Sequence, residues 1–192
     1  GPASGVMAAA YTARRAGFAN VVTYDMGGTS TDVALIRDAR PAVSNEIEIE
    51  YAMPIHVPMV DVHSVGAGGG SIARVDDSGL IRVGPQSAGA TPGPICYGRG
   101  GAEPTISDAN LLLGRLNRRK LLAVDSPVPV DTVRAIFEER IGRSAGLDGI
   151  EAAGAVIRLG NLKMAGAIRM VSVSKGHDPR DFALFAFGGA GP

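Results

Sequence analysis

The sequence predicts a mixed α/β fold, and three observations predict it. Residues 21–24 and 33–36 are β-branched and apolar enough to form two largely buried strands around a polar, glycine-bearing turn. Residues 46–51, Glu-Ile-Glu-Ile-Glu-Tyr, alternate strictly and read as a strand with one wet and one buried face. Apolar residues at helical spacing then recur between 105 and 173, ahead of a last apolar strand, Phe182-Ala-Leu-Phe-Ala-Phe187. A chain of 192 residues is long enough for one well-buried domain, or for one domain with a small appended lobe.

Taken in order, Ser4 caps a first helix that runs to about Arg15, with Gly17 as its left-handed stop and Phe18 folding back as an apolar contact. Strand, turn and strand follow. Arg37-Asp-Ala-Arg40 makes a second turn, so residues 46–51 become the third strand of a meander. Residues 53–61 contain Pro54 and Pro58, which restricts them to an edge or irregular strand. His63-Ser-Val-Gly-Ala-Gly-Gly-Gly-Ser71 holds four glycines in nine positions, and it reads either as a linker or as a loop that closes over a ligand or lets two backbones pass. Residues 72–75 and 80–83 bracket Asp76-Asp-Ser-Gly79 as a hairpin.

Residues 84–104 carry six glycines and four prolines without periodicity, the composition of a functional or interacting loop. Thr105-Ile-Ser-Asp108 is a capping box opening a helix with Leu111, Leu112, Leu113 and Leu116. Asp131 caps another, with Val133, Ile136, Phe137 and Ile141 on one face. Residues 151–173, apolar on most sides through Val156, Leu159, Leu162, Met164, Ile168 and Val171, form a long helix that should be deeply packed. A turn at His177-Asp-Pro-Arg180 leads into the last strand, which is expected to be buried and to deliver Gly188-Gly-Ala-Gly-Pro192 at its carboxyl end, where open α/β sheets bind ligands.

Composition sets the outer bounds. Hydrophobic residues make up 45% and charged residues 20%, the balance of a soluble globular body, and 19 basic residues offset 19 acidic ones, so no nucleic-acid or anionic-membrane partner is expected. The single cysteine, Cys96, allows no internal disulfide, and with no apolar run of membrane-spanning length the expected location is the cytoplasm. Cys96 reads as a packed apolar thiol or, with a base brought from elsewhere, a nucleophile. The chain opens at Gly1 without methionine and stops within a glycine-rich turn, which leads to the expectation of a piece of a longer polypeptide.

The chemistry concentrates in Asp25-Met-Gly-Gly-Thr-Ser-Thr-Asp32. Gly27 and Gly28 lack a Cβ, so the backbone can take positive φ and an incoming group can approach the main-chain N–H donors. Thr29, Ser30 and Thr31 add hydroxyls, while Asp25 and Asp32 frame the turn, one to hold a divalent cation through its waters and the other to orient a nucleophile or the same cation. This pattern fits a phosphate. A merely structural hairpin turn is the competing reading. Lys163, Arg169 and Lys175 read as a solvated edge or as phosphate contacts. His56, His63 and His177 match no zinc spacing, although Asp61 and His63 could form half of a metal site. No nucleophile elbow is present.

These residues also carry a family resemblance. Asp25-Met-Gly-Gly-Thr-Ser-Thr-Asp-Val33 resembles the second phosphate loop of the acetate kinase, sugar kinase, chaperone and actin ATPase superfamily, and Phe187-Gly-Gly-Ala-Gly-Pro192 resembles its adenosine-side glycine motif. More narrowly, the chain resembles the hydantoinase A and 5-oxoprolinase family through Gly1-Pro-Ala-Ser-Gly-Val6, the same acidic turn, Gly66-Ala-Gly-Gly-Gly-Ser-Ile72, Pro92-Gly-Pro-Ile-Cys-Tyr-Gly98, Ser107-Asp-Ala-Asn110 and the final glycine motif, in order along the full length. The resemblance implies a ribonuclease-H-like, actin-like ATPase lobe: a five-stranded sheet with meander strands first, packed helices, and an inserted glycine-rich β subdomain at about 53–104.

The resemblance further implies ATP and Mg2+ bound between two such lobes, and ATP hydrolysis coupled to opening a cyclic amide such as a hydantoin or 5-oxoproline. By that likeness Asp25 holds Mg2+ through water, Gly27, Gly28, Thr29 and Ser30 cradle the β- or γ-phosphate, Asp32 sets the cation or the loop, and Gly188 and Gly189 lie beneath the nucleotide. Asp25 and Asp32 are thus the expected catalytic pair. The family's amino-terminal phosphate loop is absent from the sequence, so a missing lobe and a hydantoinase B-type subunit are the implied partners, and the piece alone is expected to be inactive. Related ketone carboxylase subunits, a sugar or carboxylate kinase lobe, and a non-catalytic partner-binding module are the alternatives.

Overall fold

The computed structural model describes residues 1–44, 47–49, 53–55, 59–121 and 124–191. The chain forms two compact units: one of Gly1–Met26, Thr31–Val65 and Ala165–Pro192, the other of Gly27–Ser30 and Gly66–Met164.

The first unit is an α/β sandwich. Helix α1 (Pro2–Arg15) begins two residues before the expected Ser4 cap: Gly1 is the N-cap and Pro2, whose ring presets φ and which has no N–H to satisfy, opens the first turn. Its stop is as expected, with Gly17 at φ +85° and the Phe18 N–H bonded to the Ala13 carbonyl at 2.9 Å. The Phe18 ring, however, is largely exposed instead of packed. Strands β1 (Val21–Met26) and β2 (Thr31–Arg37) run antiparallel and reach further toward the turn than composition suggested, taking in Asp25 and Asp32. Asp38 and Ala39, both at positive φ, turn the chain into β3 (Arg40–Pro41), which pairs with β2.

The expected third strand of the meander is displaced. Of residues 46–51, β5 (Ile47–Ile49) pairs with β6 (Met53–Ile55) in a separate hairpin, and β4 (Val43–Ser44) pairs with β7 (Met59–Val60). The reason is that β2's free edge is already divided between β3 at one end and β8 (Val62–Val65) at the other. His63 to Val65 therefore belong to a strand, not to the glycine loop. Glu46, Tyr51, His56, Pro58 and Pro192 lie outside the described residues.

The resulting five-stranded sheet runs β11-β1-β2-β3, with β8 also on β2, and its one parallel pair is β1 with β11 (Ala183–Phe187). On one face Val21, Ala34 and Ile36 pack under Val6, Ala9, Ala10 and Ala13 of α1, with Phe185 and Phe187 beside them. On the other, Val33, Tyr24 and Val65 meet Ala167, Ile168 and Val171. Because this second layer does not extend over β11, Leu184 is 60% exposed, so β11 is a half-covered edge strand and not the buried one that its composition predicts.

In the second unit, β9 (Ser71–Val75) and β10 (Ile81–Ser87) form the expected hairpin; Asp76 Oδ1 accepts from Ser78 N and Leu80 N to close its turn. The long loop after β10 is ordered around a 3-10 turn (Ile95–Tyr97). Helix α2 (Ile106–Leu112) starts at the capping box, with both reciprocal bonds between Thr105 and Asp108 in place. Helix α3 (Val130–Phe137) has Pro129 at its N-cap position, with no side-chain capping bond, while Asp131 sits in its first turn as a dipole partner, a correction to the predicted cap. A π-helical stretch (Glu138–Gly142) and the short α4 (Arg143–Ala145) continue it, so that Val133, Phe137 and Ile141 are all fully buried.

The last helix, α5 (Gly149–Val171), contributes its first sixteen residues to the second unit and the rest to the first. Its packing is one-sided. Val156 is fully buried, whereas Leu162 is 64% exposed, against the expectation of a helix packed all round.

Candidate functional site

In the first unit the sheet register places a chemically distinct row across its strands. Asp25 of β1 lies directly opposite Asp32 of β2; Phe187 of β11 is Asp25's other neighbour and Ser64 of β8 is Asp32's. Partners in register share a face, here the one covered by α1. Two residues further down β1, Thr23 and Ala34 are buried and apolar contacts take over, so the acidic row marks where the apolar layer ends. Like charges directly opposite one another destabilise a sheet.

The two carboxylates are not equivalent. The Ser64 hydroxyl donates to Asp32 Oδ1, while no described residue donates a hydrogen bond to Asp25 or pairs with it ionically. Two glycines approach Asp25 closely. A Cβ on Gly188, which stands at φ +89°, would strike Asp25 Oδ1 and the Met26 carbonyl, and one on Gly5 would come within 2.9 Å of the Phe187 ring and 3.7 Å of Asp25 Oδ2. Gly189 faces open space. Next to this row, burial raises the Tyr24 phenol above its usual range, partly countered by a hydrogen bond with Thr31.

In the second unit the turn Gly27–Ser30 rests on the polyglycine segment. Gly69 N donates to the Gly27 carbonyl at 3.0 Å and Gly70 N to the Gly28 carbonyl at 2.6 Å, and Gly27 N bonds Ser30 O across the turn. The carbonyls thus point inward. Among the described residues none accepts from the N–H groups of Gly28, Thr29 or Ser30, and Gly28 and Thr29 are exposed. Neither Gly27 nor Gly28 is at positive φ, contrary to expectation; it is at Gly68 that the missing side chain is needed, since a Cβ there would sit 2.7 Å from both Gly27 O and Thr29 N. Residues 66–70 therefore let two backbones pass. The Ser87 hydroxyl lies 3.5 Å from Gly28 O and from Thr29 Oγ1.

Other candidates are engaged elsewhere. Asp61 pairs with Lys175, His63 faces the opposite side of the sheet from the acidic row, and His177 contacts Arg37. Lys163 Nζ donates to the Val83 carbonyl. Cys96 is fully buried, and burial first, then the nearby Asp108 carboxylate, pushes its thiol far above the usual range, which makes it inert packing. Among the described residues no three His, Cys, Asp or Glu side chains gather, and no helix is long and apolar enough to cross a membrane.

Sequence reasoning gave Ser64 and Gly5 no role of their own, named Gly68 only as part of the glycine loop that lets two backbones pass, and read Asp108 only as a helix cap. Asp108 is fully buried and accepts from Thr105 N, Thr105 Oγ1, Ile95 N and Cys96 N, tying the long loop to α2. Its capping-box position was the available signal; the loop contacts had none.

This mixed-sheet α/β architecture is shared with solved enzyme structures. The crystal structure of the ATP-dependent caprolactamase from Pseudomonas jessenii matches with a TM-score of 0.85 and 45% identity over 95% of this chain and 26% of that one. The nucleotide-free acetone carboxylase, from work on ATP-dependent acetone carboxylation, matches with a TM-score of 0.85 and 33% identity over 98% of this chain and 26% of that one. In sequence, the alpha subunit of the Pseudomonas jessenii caprolactamase is 47% identical over 99% of this chain and 27% of its own length. The chain thus spans about a quarter of the length of these relatives. The sequence model for hydantoinase/oxoprolinase covers residues 1–192, and the chain belongs to that family.

Proposed function

We propose that this chain is the phosphate-binding part of a larger ATP-dependent enzyme that opens cyclic amides of the hydantoin or 5-oxoproline class. The observation that carries the reading is the turn at Gly28, Thr29 and Ser30: three successive N–H groups with no acceptor among the described residues, at the exposed Gly28 and Thr29 and the half-buried Ser30, on a turn whose Gly27 and Gly28 carbonyls accept from the polyglycine segment. Consecutive free amides of this kind form an anion-binding concavity. The ATP dependence named for the caprolactamase and acetone carboxylase relatives supports the choice of anion.

Bound ATP would supply a γ-phosphoryl group that activates the amide oxygen toward water. The chain's own residues would do the rest. The N–H groups of Gly28, Thr29 and Ser30 would hold β- or γ-phosphate oxygens, with the Thr29 and Ser30 hydroxyls adding donors and Gly27 and Gly28 leaving room. Asp25, bare and flanked by glycines, would hold Mg2+ through its waters. A hard oxygen donor pair at Asp25 and Asp32 suits that ion, which keeps several waters and takes one or two carboxylates. Asp32 would orient the attacking group or the cation's water, and Gly188 and Gly189 would lie under the nucleotide.

In this reading residues 1–192 form one actin-like lobe of ribonuclease-H type, with the insertion at about 53–104. The second lobe and a hydantoinase B-type subunit complete a cytoplasmic enzyme. A second reading, a ketone carboxylase subunit, is favoured by the equal structural match to acetone carboxylase.

The test uses the full-length protein. Asp25→Asn should weaken Mg-ATP binding by calorimetry by at least about tenfold and lower ATP turnover further, with the melting temperature unchanged or raised as the facing like charges are relieved. Unchanged affinity and turnover would remove Asp25 from the site. ATP hydrolysis that depends on hydantoin or 5-oxoproline supports the amidase; dependence on a ketone with bicarbonate supports the carboxylase.

A further inference from the structure

We infer that Ser64 is a positioning residue for Asp32, and that it is what divides the labour between the two facing carboxylates. The inference rests on the proposed function and deepens it. Ser64 is the fourth member of the row Phe187, Asp25, Asp32, Ser64, in register with Asp32 on the adjacent strand β8. Its hydroxyl donates to Asp32 Oδ1, and a hydroxyl donating to a carboxylate makes a short, charge-assisted bond. That bond, at an exposed position, orients the Asp32 carboxyl group and engages one of its oxygens, and no described residue donates to Oδ2.

Asp25 has no such donor among the described residues, and the two glycines close to its oxygens, Gly188 and Gly5, put no side chain against them. Across one row, one carboxylate is therefore held still and half satisfied by the protein, and the other is left bare. A held carboxylate is suited to orient a single attacking hydroxyl or water. The bare one is suited to a hydrated Mg2+, whose octahedral shell needs freedom to place its waters. Ser64 itself touches neither nucleotide nor metal in this scheme, and acts through Asp32.

The experiment compares Ser64→Ala and Ser64→Thr in the full-length protein, measuring the turnover rate of ATP hydrolysis, Mg-ATP affinity by calorimetry, and the melting temperature. Ser64→Ala should lower turnover by about tenfold or more while Mg-ATP affinity stays within about twofold and the melting temperature holds. Ser64→Thr, which keeps the hydroxyl, should retain at least half of the wild-type turnover.

Turnover of Ser64→Ala within about twofold of wild type overturns the inference. So does a parallel loss of affinity and melting temperature, which marks a merely structural edge contact, or a Ser64→Thr variant as impaired as Ser64→Ala. Failure of the underlying reading looks different: there Asp25→Asn leaves Mg-ATP affinity intact, whatever Ser64 does.

Discussion

Replacing Gly68 with alanine tests the way the polyglycine segment supports the turn. The added methyl would lie 2.7 Å from Gly27 O, 2.7 Å from Thr29 N and 2.8 Å from Gly28 C, about 0.7 Å inside the 3.4 Å at which ordinary contact begins. All three atoms are backbone, and their turn is itself bonded to Gly69 N and Gly70 N, so no side chain can swing aside. Overpacking of this kind costs about 1–3 kcal/mol. Loss of glycine entropy from the unfolded chain offsets about 0.4–1 kcal/mol, and because three backbone atoms are struck at once the net loss should fall in the upper part of the remaining range, about 1–2.5 kcal/mol. Gly28→Ala is the control: nothing lies within 4 Å of its Cβ and its φ is ordinary, so stability should hold or rise slightly.

Native-state hydrogen exchange at the Gly69 and Gly70 amides reads the effect locally, and Gly68→Ala should accelerate it by roughly 5–30-fold. For Gly28→Ala the exchange should be unchanged while Mg-ATP affinity of the full-length protein falls, because the methyl would stand where the proposed site receives phosphate oxygens. Exchange unaltered in Gly68→Ala, or Gly28→Ala the more damaging to stability, would refute the reasoning.

Three further outcomes follow from the geometry. Phe137→Ala removes a fully buried ring at the end of α3 and should cost about 3–5 kcal/mol in denaturant titrations. Asp108→Ala strands the buried donors of Thr105, Ile95 and Cys96 and should cost about 3 kcal/mol or more; in the intact protein Cys96 should resist alkylation at neutral pH, and this variant should expose it to reagent. The Arg180 guanidinium holds the exposed Asp178 carboxyl down to about 2 from an ordinary 3.8. A depressed folded value means that the pair's small contribution is complete above the ordinary value and lost as pH falls through about 2. An NMR titration should find the Asp178 midpoint in that low range, returning toward 3.8 in Arg180→Ala.

Much of the architecture was legible because local chemistry decided it. β-branched runs made β1 and β2, Thr105 and Asp108 capped α2, and Gly17 ended α1. The errors share a cause. Residues 46–51 alternate correctly for a strand, but alternation says nothing about which edge is vacant, and β2's edge was already shared by β3 and β8. The strand 182–187 is apolar enough to be buried, yet its position at the end of the sheet exposes Leu184. Leu162 reads as core by composition, while its direction on α5 is set by what packs against the helix.

For the site, the sequence by itself determined the parts: two aspartates framing a Gly-Gly-Thr-Ser turn, a polyglycine run, and a glycine cluster after the last strand. Only the tertiary structure decided how they are used. It turned the carbonyls of residues 27 and 28 toward Gly69 and Gly70, moved the demand for a missing side chain from Gly27 and Gly28 to Gly68, and set Ser64 beside Asp32. Spacing along a chain fixes which groups are near one another in a turn or strand. Register between strands, and the close passage of two distant backbones, depend on contacts that no local pattern encodes.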